Sequence, residues 1–219
     1  FTLRDDASSR FSKDTRWGLF PSGAFAWNIA EENFLKDSRA VSALKLRVGV
    51  GQTGQQEIGS NYPYLARYYM STDVYKTYYM GSAGHMFYLT PGAYDPNIKW
   101  ETTTTYNVGL DFGFLKGRIH GTIDYYDSKS YDLLYLKVLP YTSGFNRAWT
   151  NIGDTRNRGW EVSLSTVPVE TKDFHLGVNL SYYRNKEELI RLQDPKMKED
   201  INNGLFVGYP VNGVHYNYK

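Results

Sequence analysis

Asp124 and Glu161 are the carboxylates that could be asked to break a glycosidic bond, one as acid and the other as base or nucleophile. Nothing in the sequence sets them across a cleft. No Ser/His/Asp order, glycine-rich phosphate loop or HExxH helix accompanies them, so no residue is assigned a catalytic role and no enzyme is expected. The 219 residues include no cysteine and four scattered histidines. That leaves no disulfide framework, no metal-ligand spacing and no reason to expect a cofactor. Asp194, Glu199 and Asp200 are oxygen donors of the kind calcium takes, but their spacing fits no EF-hand loop and they read as a solvated loop.

Binding chemistry is better represented. There are 20 tyrosines, and aromatic residues make up 16% of the chain, although mean hydropathy is only −0.53. A tyrosine ring joins an apolar face to a hydroxyl, which suits a water–membrane boundary or the face of a sugar. Tyr68, Tyr69, Tyr78, Tyr79, Tyr88, Tyr141 and Trp149 are the candidate solute contacts, beside Tyr62, Tyr64, Tyr75 and Tyr94 in the same Tyr/Gly/Ser-rich stretches. The plain alternative is that these rings pack the loops together. Net charge is +2, so no nucleic-acid partner is indicated.

A second set of polar residues recurs at every other position: Lys45 and Arg47, Asp111, His120 and Asp124, and Glu161. The elements that carry them alternate with period two. In Thr103 to Tyr126 the apolar positions are Tyr106, Val108, Leu110 and Phe112, then Ile119, Ile123 and Tyr125, and a turn at residues 115–118 makes the segment a hairpin. Similar strands run from Gly18 to Ile29, from Leu44 to Gly51, around Trp160, Val162 and Leu164, and from Leu176 to Tyr182. A helix-like connection is expected at 30–43. The tail from Lys186 reads as loop, with some helix around Lys186 to Leu192. Asp111 and His120 are expected to face each other across the hairpin.

Short connections at 30–43, 115–118 and 169–173 alternate with long ones at about 5–16, 52–99, 132–157 and 187–219. A soluble sandwich would account for the alternation of side chains. It gives no reason for long loops at one end only, nor for Gly49, Gly51, Gly109, Gly113 and Gly177 on the polar face. A transmembrane barrel accounts for the loops. Strands of about 9–11 residues cross a bilayer when tilted. Trp100, Tyr106, Tyr125, Trp160 and Tyr182 lie where an interfacial girdle would put them. Slipping the register by one residue would push Lys45 or Arg47 into hydrocarbon at roughly 2–4 kcal/mol each. No run approaches 18 apolar residues, which excludes a helical span. The expected fold is therefore all-β: about six or seven antiparallel strands of a large outer-membrane barrel, with Lys45, Arg47, Asp111, His120, Asp124 and Glu161 facing the lumen. An open sheet edge cannot stand in lipid. The chain, opening on Phe1 and stopping at Lys219, accordingly reads as a piece of a longer protein.

Several segments together, FPSGAFAWNIAEENFL, LKLRVGVGQTGQQEIG, DPNIKWETTTTYNVGLDFGFLKGRIHGTIDYYDSKSYDLL and NIGDTRNRGWEVSLST, resemble the barrel of SusC/RagA-type TonB-dependent outer-membrane transporters. Arg158-Gly159-Trp160-Glu161 resembles a strand start found across TonB-dependent receptors. Gln55-Gln56 departs from the Gly-Asn often found there, in a loop. The resemblance implies that residues 1–219 form part of a barrel of about 22 strands with a plugged lumen, the plug lying outside this chain. It also implies partners: TonB, a SusD-like surface lipoprotein, the lipid bilayer, the rest of the same barrel, and an oligosaccharide or peptide solute. The expected place is the bacterial outer membrane. Rival readings are a TonB-dependent siderophore or cofactor receptor and, in another class, a secreted carbohydrate-binding β-sandwich.

Overall fold

The computed structural model describes residues 1–70 and 89–211, together with the backbone at 78–79 and 85–86. Seven strands form one antiparallel sheet: β1 (Thr2–Ala7), β2 (Trp17–Asn28), β3 (Val41–Gln55), β4 (Glu101–Phe114), β5 (Ile119–Tyr131), β6 (Gly153–Glu170) and β7 (His175–Leu192). Each pairs with its neighbours in chain order, so the sheet is a simple meander from β1 to β7. The longest strands, β6 and β7, have 18 residues each. At about 3.4 Å per residue they exceed what a tilted crossing of a 30 Å hydrocarbon layer needs.

Every other residue faces the same way, and the register aligns these faces across the sheet. Phe25, Val48, Val108, Tyr125 and Trp160 lie in one cross-strand row, which ends at Arg184 on β7. The next row toward the short turns holds Trp27, Leu46, Leu110, Ile123, Val162 and Tyr182. The apolar band thus crosses the rows obliquely, as it must when strands are inclined to a flat slab. Among the described residues no second sheet covers this face. Phe25 is 63% exposed, Val108 46% and Leu180 58%. That arrangement rules out a self-contained sandwich, which would bury such side chains between two layers.

At one end the connections are tight. Between β4 and β5 the chain reverses through Leu115, Lys116 and Gly117, all with positive φ (53°, 59° and 85°), the left-handed geometry that matches the twist of flanking strands. Between β6 and β7, Thr171 and Phe174 close the turn by a backbone hydrogen bond of 2.8 Å. The connection at 30–43 is not helical. It holds one 3-10 turn, Ile29–Glu31, and the Trp27 Nε1 donates to Glu32 at 2.9 Å. The stretch is too short and too irregular in its apolar spacing to nucleate an α-helix.

At the other end the strands run further than alternation alone suggests. β7 continues as strand to Leu192, so Lys186 to Leu192 is neither loop nor helix. Its charged residues are spaced for exposed strand faces on both sides. β1 likewise occupies the start of the expected 5–16 loop. Beyond the sheet, short pairs stiffen the loops: Leu134–Val138 with Arg147–Asn151, Tyr68–Met70 with Leu89–Pro91, and Glu199–Asp200 with Leu205–Phe206.

Among the described residues, two small cores sit among these loops. One buries Phe11, Phe20, Ile58, Ile98 and Trp100; the other buries Ile152, Leu189, Leu192 and Leu205. Trp100 is therefore not part of an interfacial girdle. Its ring lies 5.3 Å from Phe11 and 5.5 Å from Phe20, and its Nε1 donates to the Arg16 carbonyl at 2.9 Å. Tyr106, Trp160 and Tyr182 stay exposed on the apolar face, and Tyr125, half-buried, is in ring contact with Trp160 at 4.8 Å.

Candidate functional surface

The polar face of the sheet is built around Arg47. Its Nε donates to both Asp111 oxygens at 3.0 Å, and its Nη2 donates to Asp111 Oδ1 at 2.7 Å and to Asp124 Oδ1 at 2.9 Å. One guanidinium thus ties three strands, β3, β4 and β5. The residue opposite Arg47 on β4 is Gly109, and Asp124 faces the same glycine from β5. A Cβ at Gly109 would lie 2.3 Å from Asp124 Oδ1 and 2.7 Å from Arg47 Nη2. Glycine is the only residue that leaves the guanidinium room to lie flat between the carboxylates. The triad keeps one net negative charge, with Lys45 opposite Asp111 and Glu161 opposite Asp124.

Lys45, Arg47, Asp111, His120, Asp124 and Glu161 share this face by register. Asp111 and His120 do not face each other. Phe114 pairs with Ile119, which sets Asp111 against Thr122 and His120 against Gly113; the two are diagonal neighbours. The His120 Nδ1 instead lies 3.0 Å from the Gly117 carbonyl oxygen. Asp124 and Glu161 are adjacent across β5 and β6, with no gap for a sugar ring between them, and Asp124 is already engaged by Arg47.

Toward the long loops the same face becomes small and hydroxyl-rich. Thr103 pairs with Ser130 at 2.7 Å and Thr105 with Ser128 at 2.9 Å through their side-chain oxygens. Beside them Ser22, Ala24, Gly49, Gly51 and Asn107 line an open hollow of about 400 Å³. The glycines and alanine lower the floor, while the hydroxyls and the amide line its rim. A surface of this composition offers many weak hydrogen-bond partners and no fixed shape of pocket.

The loop aromatics fall into separate groups. Trp149 is half-buried and packs against the first loop core. The Tyr69 ring lies over Gly92, where a Cβ would come within 2.4 Å of it. Tyr68 is exposed, and Tyr141, on a 3-10 turn at Tyr141–Ser143, is 96% exposed. Tyr62 and Tyr64 meet edge to face at 6.3 Å. Tyr78 and Tyr79 pair through the backbone with Met86 and His85; their side chains, like Tyr75 and Tyr88, lie outside the described residues.

The loops also bring together residues that no spacing in the sequence signals. Asp95, Asn97, Lys99, Asp132, Asn151 and Arg191 line a polar cleft of about 330 Å³. Lys99 Nζ is 2.8 Å from Asp132, and the Asn151 amide clamps the Lys99 and Asp132 carbonyls at 3.0 and 2.6 Å. A second hollow of about 280 Å³ shares Asp95 and adds Tyr94, Lys137 and Phe145. Nearby, Arg10 holds the exposed Glu57 carboxyl below its ordinary range, chiefly by a hydrogen bond, with help from the Gly59 amide.

A bare apolar band, a polar opposite face, tight turns at one end and long structured loops at the other define the wall of a transmembrane β-barrel. Residues 1–218 match the family described as TonB dependent receptor-like, beta-barrel, and the chain belongs to that family of the bacterial outer membrane. It is 49% identical over 195 residues to the TonB-dependent receptor SusC of Bacteroides thetaiotaomicron, a match that covers 88% of this chain and 19% of that protein. It is 39% identical over 233 residues to the TonB-dependent receptor P3 of Formosa agariphila, covering 98% of this chain and 23% of that one. The chain thus spans about a fifth of the length of these relatives. Among solved structures, the RagAB peptide importer in its closed-closed state superposes with a TM-score of 0.81 at 26% identity, over 95% of this chain and 22% of that one. The open-open state of the same importer gives 0.77 at 27%.

Proposed function

We propose that this chain is a segment of barrel wall from a SusC-like outer-membrane importer of oligosaccharides or peptides. The importer is energised through TonB and works with a SusD-like surface lipoprotein over its outer mouth. The reading is carried by one observation: a SusC-related sheet whose bare face is apolar and whose opposite face is hydroxyl-lined and ion-paired. The polar face lines the lumen. Strands β1 and β7 are sheet edges here, and in lipid their amides need partners from other strands of the same barrel. The Arg47–Asp111–Asp124 triad fastens neighbouring strands on the lumen side, away from the loops where a solute first arrives.

Capture belongs to the outer loops. Tyr68 and Tyr141 present open rings, and the Asp95–Lys99–Asp132 cleft presents charges and amides. The wall itself does no chemistry on the solute. Its work is to stay rigid while a plug elsewhere in the protein moves. The test is uptake by cells carrying the full-length protein, using labelled oligosaccharides and labelled peptides in parallel, with and without TonB. TonB-dependent uptake of either class is the expected result. Uptake of ferric siderophore alone, or uptake indifferent to TonB, would overturn the reading.

A further inference from the structure

Above the girdle, the apolar face of the sheet turns basic. Past Tyr125 and Trp160, β5 and β6 carry Asp127, Lys129, Arg156 and Arg158 on that face, and β7 carries Arg184, Lys186 and Glu188. The register makes this one patch: Arg158 stands between Asp127 and Lys186, Arg156 stands between Lys129 and Glu188, and Arg184 is next to Trp160. Five cations face two carboxylates.

The carboxylates are spoken for. Asp127 is held by Arg156, whose Nε donates to it at 2.8 Å. Glu188 is held by Lys186 at 2.5 Å and, more loosely, by Arg158 at 3.9 Å. Lys129 and Arg184 make no ion pair among the described residues, and the Arg184 and Lys186 side chains are exposed. A surplus of cations is expensive beside hydrocarbon. Immediately beyond a lipid belt, facing outward at the loop end, it is what an anionic headgroup layer would complement. Guanidinium and ammonium groups grip phosphate oxygens, Arg in two-pronged fashion.

We propose that this patch binds the phosphate of an outer-leaflet lipid, with the acyl chains lying along Tyr125, Trp160, Tyr182 and the apolar rows below. The site is continuous with the lipid belt and is distinct from any solute path, which runs on the other face. It therefore rests on the lumen-and-lipid orientation of the two faces, and the nature of the imported solute does not enter.

The experiment uses the full-length protein in nanodiscs containing either phosphorylated lipid A or the same lipid with its phosphates removed, and native mass spectrometry counts the lipid retained. The unmodified protein should retain the phosphorylated lipid and release the dephosphorylated one. The triple change Lys129→Gln, Arg184→Gln and Lys186→Gln should weaken retention roughly a hundredfold, since each cation at an anionic lipid surface contributes about a fivefold factor. Lys116→Gln, at the opposite end of the wall, should leave retention unchanged. Excess inorganic phosphate should fail to displace the lipid, because it lacks the acyl contacts. Equal retention of both lipids by the unmodified protein overturns the proposal whether or not the triple variant assembles, as does full retention by an assembled triple variant. Displacement by millimolar phosphate also overturns it, leaving a simple anion site. A spin label on Val108→Cys, probed with oxygen and a water-soluble relaxant, reports separately whether the apolar face meets lipid.

Discussion

Replacing Gly109 by alanine tests the Arg47 triad directly. The added Cβ would sit 2.3 Å from Asp124 Oδ1 and 2.8 Å from Arg47 Cζ, so the guanidinium must lift away and its bonds to the two carboxylates must break or lengthen. The three side chains are about a third exposed. Water therefore screens the interaction, and about 0.2–1 kcal/mol per pair is the appropriate scale. The two-pronged contact with Asp111 argues for the upper part of that range. Loss of both pairs then costs about 1–2 kcal/mol. Against this, alanine in a strand interior gains about 0.5–1 kcal/mol over glycine by restricting the unfolded chain. The net change is a destabilisation of about 0–1.5 kcal/mol.

In an Arg47→Gln background the sign should reverse. The guanidinium is gone, the Asp124 carboxylate is free to swing aside, and only the backbone gain remains. Denaturant titration of the full-length barrel refolded into vesicles, with all four members of the cycle measured in one lipid, gives the coupling. Equal effects of Gly109→Ala in both backgrounds would show that the glycine is not there to seat Arg47.

Further outcomes follow from the same geometry. Val108→Arg should cost about 2–4 kcal/mol of barrel stability, whereas Asn107→Arg, one residue away on the polar face, should cost little; heat-modifiable gel mobility separates them. Trp100→Ala should remove about 3–5 kcal/mol of local packing from the loop core, seen as faster protease cleavage in the 8–16 and 56–67 loops while the barrel stays assembled. Glu57 has its carboxyl held below the usual range by Arg10 and the Gly59 amide. Its tie to Arg10 should be complete above the ordinary glutamate pKa and be lost as pH falls through the lower folded value, so the Gly59 amide NMR shift should titrate acidically and stop titrating in Glu57→Gln.

Alternation alone determined a good deal about this protein. The period-two runs at Leu44–Gly51, Thr103–Tyr126, Trp160–Leu164 and Leu176–Tyr182 assigned strands, faces and a lipid-length crossing, because in a sheet the face of a side chain is a matter of counting by two. The charged row on Lys45, Arg47, Asp111, His120, Asp124 and Glu161 was legible for the same reason. Where alternation blurs, legibility ended: β7 past Tyr182 has polar residues on both faces, and the 30–43 connection mixes apolar and charged residues without any period.

Only the tertiary structure decided who touches whom. Cross-strand register turned Asp111 away from His120 and toward Arg47, and it showed why residue 109 is glycine. Loop docking drew Trp100 out of the expected girdle into a core with Phe11 and Phe20, and it assembled the Asp95–Asp132–Asn151 cleft from segments far apart in the chain. The physical reason is one of range. Face and strand type follow from neighbours one or two residues away, whereas an ion pair, a packed ring or a cleft depends on closing loops of tens of residues, and no local pattern records where those closures fall.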